Sequence, residues 1–198
     1  MRVLDRHAVD HIKKTAATVF VTTAVSQNGR LDAVMVLAIQ TKLVWRLANL
    51  YQQRPGPREL LKLYGNVAAT VFLASELEDL DLSQQIQPVI QAALGGSMAG
   101  MVPGLAAIST IVMQSMLEGT ANAYLTLRVG AISQQYCGGL SPFDAKRARR
   151  SASVTAAAML GGIVAESAGS VANAIAEAAK RAGSATVARW NPFRAVAE

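Results

Sequence analysis

The feature that most constrains this chain is a stretch without a charged residue, 82–117, which is bounded by Asp81 and Glu118. A helix rises about 1.5 Å per residue, so these thirty-six residues exceed one bilayer crossing of about 20 residues. Pro103 and Gly104 interrupt the stretch, because proline lacks a backbone donor and glycine loosens a helical turn. The stretch therefore predicts a helical hairpin in or on a membrane, with a buried hairpin of a soluble all-α domain as the alternative.

Small residues recur every four positions in two parts of the chain, and this spacing places them on one face of a helix. Such a face lets another helix backbone approach closely, which favours packing where lipid supplies no hydrophobic drive. We therefore predict helix packing or oligomer contacts at two stripes: Gly96, Gly100 and Gly104, and Ala157, Gly161, Ala165 and Gly169.

The composition narrows the class of protein. Hydrophobic residues make up 52% of the chain and charged residues only 16%, whereas a soluble domain is nearer a quarter charged. The net charge of +6 fits an anionic lipid surface at least as well as nucleic acid. Aromatic residues, at 5%, are too few and too scattered for a base-stacking platform, so we expect no nucleic-acid partner.

Turn residues divide the chain into helices, and no strand pattern is visible. We expect an apolar hairpin formed by the runs 15–25 and 31–39, an amphipathic helix over 41–51, and a helix from about residue 57 to 73. A further helix is expected from about residue 105 to 136, followed by an alanine-rich helix over about 151–182. The predicted fold is an all-α, membrane-associated helical bundle with helical hairpins.

Basic residues mark the topology and a boundary. One basic group lies within 42–62, and a second is Lys146, Arg147, Arg149 and Arg150, for which we predict contact with lipid headgroups. Two hairpins would leave both groups on one side of the membrane, as the positive-inside rule prefers. We divide the chain into a helical membrane-associated domain, 1–145, and a segment 146–198 with the basic group, the alanine-rich helix and a loose tail.

Several short sequence segments occur in an order that resembles that of a known bacterial family. These segments are 15–19 with 29–33, 50–55, 122–130 and 136–143. Together they are similar to domain of unknown function family 697, found in YcjF-like inner-membrane proteins and at the C-terminus of some Era-like and dynamin-like GTPases. In the last segment, this chain has glycines where the family often has Arg-Pro. Over about 12–145, the resemblance implies a helical domain associated with the bacterial inner membrane, with no settled chemistry, that often works beside a GTPase. The positive-inside rule predicts that its basic segments face the cytoplasm.

No motif in the chain indicates catalysis, a cofactor or a metal site. His7 and His11 lie four apart, yet a surface helix explains them better than a metal site with no evident third ligand. No P-loop and no nucleophile elbow occur. Cys137, the only cysteine, lacks a histidine partner within sequence reach and excludes an internal disulfide. We expect a protein that is not an enzyme.

Three functions remain open from the sequence. The first is a membrane-associated scaffold that binds lipid, self-associates and recruits a GTPase or another partner. The second is a soluble all-α oligomeric interaction module. The third is a channel or transport component, suggested by the glutamines of the uncharged stretch, although no ionisable residue marks a pathway there.

Overall fold

The computed structural model of the chain describes residues 2–26, 29–51, 56–72, 106–138 and 144–189, together with Pro88. These residues contain no strand and form five α-helices: α1 (Arg2–Val25), α2 (Gly29–Tyr51), α3 (Pro57–Phe72), α4 (Ala106–Gly138) and α5 (Ala145–Arg189). The all-α prediction is confirmed. The predicted stripe of Gly96, Gly100 and Gly104, with the break after it, lies outside the described residues.

The N-terminus of α3 shows why this helix begins where the sequence predicts. Pro57 occupies the first helical position, where the missing N–H costs nothing and the fixed φ angle suits a helix. The backbone N–H of Gly56 donates to Glu59 Oε2 over 3.0 Å, and its carbonyl accepts from the backbone N–H of Leu60. The Glu59 carboxylate thus caps the backbone of Gly56, and the bond from Leu60 is the first backbone bond of the helix.

The start of α5 differs from the prediction. The sequence placed it near residue 151, but the helix begins at Ala145 and contains the whole basic group. Asp144 causes the difference, because its Oδ1 accepts hydrogen bonds from the backbone N–H groups of Lys146 (3.0 Å) and Arg147 (3.2 Å). A carboxylate that caps a helix in this way also offsets the positive charge of the first turns.

Replacing Asp144 by alanine should therefore cost about 1 kcal/mol of stability, the usual cost of losing an N-cap side chain. Asp144→Asn is the control, because asparagine keeps the acceptor and should retain most of the stability. Thermal unfolding followed by circular dichroism in mild detergent measures both variants. Equal stability of the alanine variant and the parent chain would rule out the cap.

Helix α4 is the centre of the bundle, because each of the other four described helices packs against it. Its middle, residues 119–120 and 123–133, is buried except for the half-buried Leu125. A helix covered on all sides needs small and apolar residues around its whole circumference, which this segment supplies. The uncharged stretch that dominates the sequence contributes the first turns of α4, and the buried centre follows it.

Contacts between α4 and its neighbours show in which direction each helix runs. Ile12 lies against Gly130 and Phe20 against Gly119, so α1 runs antiparallel to α4. Gln40 bonds to Thr126, and Tyr51 lies against Gly138, so α2 runs parallel to α4. The predicted hairpin of α1 and α2 is confirmed, with both helices longer than the apolar runs that announced it.

The core has two parts. The larger cluster joins α1, α2, α4 and α5, and its largest fully buried side chains include Phe20, Ile12, Leu47 and Leu160. The smaller cluster, around Ile132, Val67 and Val44, brings α3 to the bundle. Because α5 contributes Leu160, Val164 and Val171 to the larger cluster, its first half shares one core with the residues before 145.

Candidate functional site

Helix α2 has two faces of different character. Leu43 and Leu47 are buried and Leu50 is half-buried, whereas Lys42 and Arg46 are exposed, as the amphipathic pattern predicts. The buried side is fixed to α4 by the hydrogen bond from Gln40 Nε2 to Thr126 Oγ1, over 3.2 Å. This bond satisfies two polar groups inside the bundle, and it acts together with the buried Leu43 and Leu47 to hold this side of α2 against the core.

The outward side carries large apolar side chains that the described protein leaves uncovered. Val34 is 67% exposed, Leu37 63% and Trp45 48%. We call this surface the outer face of α2; its exposed members are Val34, Met35, Leu37, Ala38, Thr41, Lys42, Trp45 and Arg46. A contiguous apolar surface of this kind marks an interaction site more often than scattered apolar residues do.

A groove runs between this outer face and α3. Its volume is about 550 Å³, and it is lined by Val34, Leu37, Ala38, Thr41, Lys42, Trp45 and Tyr64. The Tyr64 hydroxyl donates to the Thr41 carbonyl over 3.0 Å, and the Thr41 hydroxyl donates to the Leu37 carbonyl over 2.8 Å. Burial raises the pKa of Tyr64, so this hydroxyl remains a donor at neutral pH. The polar groups of Thr41 and Tyr64 are thus already engaged within the protein.

The outer face changes along its length from apolar to cationic. Val34, Leu37 and Ala38 come first, and Lys42, Trp45 and Arg46 follow. From Val34 to Arg46 the helix rises about 18 Å, slightly more than half the thickness of a bilayer core of about 30 Å. Tryptophan and basic residues concentrate at the boundary between hydrocarbon and headgroups, so the order matches the depth profile of one leaflet.

Two of the described helices are long and apolar enough to cross a membrane, judged by length and composition. They are Ala33–Tyr51 in α2 and Ala145–Val171 in α5, and only 33% of each segment is buried inside the protein. The first segment contains the outer face of α2. The second begins with the basic group, so charged side chains stand at one end of it.

The basic group of α5 and the C-terminal end of α2 lie at the same end of the bundle. The Tyr51 hydroxyl donates to Asp5 Oδ1 over 2.6 Å, which brings the end of α2 to the start of α1. Gln135 Nε2 donates to Ser151 Oγ over 2.9 Å, which brings the end of α4 to the start of α5. Since Tyr51 also lies against Gly138, these four helix ends meet, and the basic group of α5 shares an end with the C-terminal end of α2. We call this the basic end.

The predicted headgroup residues are not equivalent. Lys146, Arg147 and Arg150 are exposed, whereas Arg149 is half-buried and its Nε is enclosed without a hydrogen-bond partner among the described residues. Three of the four side chains can therefore reach a headgroup layer directly. At Arg149, by contrast, the protein encloses Nε.

The predicted stripe on α5 lies beside the buried face of that helix. Ala157 and Gly161 are half-buried, and Ala165 and Gly169 are exposed. A Cβ atom placed on Gly161 or Gly169 would meet nothing within 4 Å. Ala157 packs against the larger core cluster, whereas the two glycines make no close helix contact within the described chain. The stripe is therefore open from Gly161 to Gly169.

Close helix contacts occur instead at glycines that the sequence analysis did not select. A Cβ on Gly119 would lie 2.8 Å from the Phe20 carbonyl oxygen, and one on Gly130 would lie 2.7 Å from Ile12 Cγ1. Gly119 and Gly130 are eleven residues apart, which is close to three helical turns and places both on one side of α4. The sequence did offer a signal for these contacts. A glycine inside a helix costs about 1 kcal/mol relative to alanine, so two glycines at this interval in one predicted helix indicate a packing role.

Polar groups inside the bundle were also missed. Tyr51 joins three helices, since its hydroxyl donates to Asp5 and accepts from Gln134 Nε2 over 3.2 Å. Arg128 is only 2% exposed, and its Cζ lies 6.0 Å from the centre of the Tyr124 ring. Tyr51 thus links α1, α2 and α4, and Arg128 lies over Tyr124 in the buried middle of α4.

Cys137 is half-buried, and burial raises its pKa to about 11. A thiol with such a pKa is almost wholly protonated at neutral pH and is a weak nucleophile. His7 and His11 are both exposed on α1, and no group of three potential metal ligands occurs among the residues described.

The raised pKa gives a prediction for the alkylation of Cys137. The rate with iodoacetamide should rise about tenfold per pH unit up to about pH 11, because only the thiolate reacts. The denatured chain is the control, and its rate should level off near pH 9. Ionisation above pH 9 in the unfolded chain should also lower the stability of the fold between pH 9 and 11. A plateau below pH 9 in the native protein would contradict the burial of this thiol.

Comparison with known proteins identifies the family. The family described as "Domain of unknown function (DUF697)" matches residues 1–161, so the chain belongs to it. Relatives named "UPF0283 membrane protein" occur in Agrobacterium fabrum (32% identical over 142 residues, 72% of this chain), Rhodopseudomonas palustris (29% over 145, 73%) and Rhizobium rhizogenes (30% over 138, 70%). The aligned part is 35%, 35% and 34% of these proteins, respectively, so the chain spans about a third of their length. No solved structure matches.

Proposed function

We propose that this member of the DUF697 family is a non-enzymatic scaffold that associates with a bacterial inner membrane, self-associates and recruits a partner. The observation that carries the proposal is the outer face of α2, which is apolar at one end and bordered by Lys42, Trp45 and Arg46 at the other. Water opposes exposure of Val34 and Leu37, whereas a lipid leaflet accepts both and places the cations among its headgroups. The relatives from Agrobacterium fabrum and Rhodopseudomonas palustris are named membrane proteins, which supports the membrane association.

The arrangement of the ends supports one orientation. The basic group of α5 and the C-terminal end of α2 are together at the basic end. Cytoplasmic segments are enriched in lysine and arginine, so we place the basic end on the cytoplasmic side. A GTPase is a reasonable candidate for the partner because of the family resemblance, and it would meet the scaffold on that side.

Self-association is assigned to the open stripe of α5. Gly161, Ala165 and Gly169 face no described helix of their own chain, and small residues at this spacing let a second copy approach closely. A soluble interaction module is the competing function, since the described helices also share a substantial core.

Membrane fractionation tests the first part of the proposal. The chain should remain in the membrane pellet after high-salt and carbonate washes, and a chain that stays soluble and monomeric without detergent would refute membrane association.

Cross-linking in membranes tests self-association with Gly161→Leu and Gly169→Leu, which should reduce the amount of cross-linked oligomer. Ser170→Leu, at an exposed position about 100° or more around α5 from Gly161, Ala165 and Gly169, should leave it unchanged. Unchanged cross-linking in the glycine variants would reject the stripe.

A further inference from the structure

The groove between α2 and α3 has a volume and a lining that general contact with lipid does not require. A volume of about 550 Å³ lies within the range of small-molecule sites, about 300–1,000 Å³. Val34, Leu37 and Ala38 give it an apolar part, and Trp45 and Tyr64 add two aromatic rings. The groove is open to the surface, and Tyr64 of α3 forms its wall opposite α2.

The charge of the groove indicates which kind of ligand fits. The hydroxyls of Thr41 and Tyr64 are engaged with backbone carbonyls, so they offer no free donor. Lys42 lines the groove and Arg46 follows one turn later on the same side of α2. Residues 33–51 contain no carboxylate that would neutralise these cations locally. The site therefore combines an open apolar groove with two cations towards one end, and residues 33–51 of α2 place no carboxylate beside them.

We propose that this groove binds one anionic phospholipid of the bilayer, with an acyl chain along Val34, Leu37 and Ala38 and the phosphate at Lys42 and Arg46. The inference rests on the proposed membrane association and adds a bound lipid of defined charge. Lysine and arginine both bind phosphate oxygens, and Lys42 lies about 12 Å further along the helix than Val34, so chain and headgroup meet matching parts of the groove. Trp45 beside the cations fits the interfacial layer.

Retention of lipid by the full chain tests this site. The chain is reconstituted into vesicles of equal parts phosphatidylcholine and phosphatidylglycerol, washed with salt and dissolved in mild detergent. Phosphatidylglycerol that copurifies should exceed phosphatidylcholine by roughly tenfold, given the usual attraction of two basic residues for anionic lipid. Lys42→Gln with Arg46→Gln should bring the ratio close to one.

Two further variants distinguish binding in the groove from a general attraction of basic residues for anionic lipid. Arg58→Gln with Lys62→Gln removes the same charge from exposed positions of α3 and should keep most of the enrichment. Ala38→Phe fills the apolar part without changing charge and should lower the retained phosphatidylglycerol several-fold. Equal loss in both charge variants, or full retention in Ala38→Phe, would overturn the lipid site.

Fluorescence of Trp45 provides an independent measurement. Trp190 is the second tryptophan, so Trp190→Phe leaves Trp45 as the only reporter. Brominated phosphatidylglycerol should quench Trp45 more strongly than brominated phosphatidylcholine at equal content, and equal quenching would count against the site.

The vesicle experiment also separates this site from the proposed membrane association. If the unmodified chain leaves the vesicles during the salt wash, the membrane association itself fails. If it stays but retains both lipids equally, only the lipid site fails.

Discussion

Replacing Gly119 by valine should destabilise the bundle by about 3 kcal/mol, the upper part of the range for overpacked cores. A Cβ at this position would lie 2.8 Å from the Phe20 carbonyl oxygen, 3.1 Å from Ala24 Cβ and 3.2 Å from Phe20 Cδ2. The nearest atom belongs to the backbone and cannot rotate away, so α1 and α4 must separate. That separation loosens the larger core cluster, which contains Phe20 and Ala24.

Gly162→Val is the matched control for this substitution. Gly162 is an exposed glycine in the interior of α5, and a Cβ there meets nothing within 4 Å. Valine at that position should be neutral or slightly stabilising, because glycine is the poorer helix former. Urea unfolding in mild detergent compares the two variants. If Gly119→Val matches the parent chain, or if both variants lose the same stability, the close approach of α1 to α4 is wrong.

Gly130 offers a graded comparison with Gly119. A Cβ at Gly130 would lie 2.7 and 2.8 Å from the two γ-carbons of Ile12, which are side-chain atoms. Ile12 is 1% exposed, so it has little room to move, but a side chain can still adjust more than a carbonyl can. Alanine at residue 130 should therefore cost less than alanine at residue 119.

The positions of the helices could be predicted from the sequence, because the residues that start and end a helix lie close together in the chain. Pro57 and Gly138 interrupt the pattern at positions where helices begin or end, and these bounds agree with the structure within two residues. The start of α5 was wrong because the carboxylate of Asp144 acts on the backbone and leaves no trace in the hydrophobic pattern. The membrane hairpin over 82–117 remains a prediction for residues 82–105, apart from Pro88, because they lie outside the described part of the chain.

The packing partners of each helix could not be predicted, because packing joins residues far apart in sequence. The stripe of α5 shows the regular spacing of a packing face, yet the tightest described contacts are at Gly119 and Gly130, where the spacing is less regular. The candidate site was only partly visible. The basic group within 42–62 and the amphipathic pattern of 41–51 were visible in the sequence. The apolar residues 33–39 lie around the whole helix, so the sequence did not show which of them face outward. Burial of Val36 and Leu43, together with the bond from Gln40 to Thr126, orients the helix.

Replacing Leu37 by aspartate should release the folded chain from the membrane. Leu37 is 63% exposed and contributes nothing to the core clusters, so the substitution leaves the bundle intact. A charged side chain inside the apolar layer costs about 2.5–3.5 kcal/mol, which corresponds to a roughly hundredfold weaker association. The measurement is the fraction of protein in the salt-washed pellet, with circular dichroism of the released chain to establish its helix content.

Leu61→Asp is the control, because Leu61 is 74% exposed on α3 and lies outside both candidate spans. It introduces the same charge at an apolar surface position and should leave the chain in the pellet. Equal release of both variants would show that added negative charge, and not the outer face of α2, decides membrane association. If Leu37→Asp stays bound as tightly as the parent chain, the outer face of α2 does not contact lipid. If the parent chain is already soluble and neither substitution changes its gel-filtration profile, the described bundle is a soluble module whose exposed apolar face awaits a protein partner.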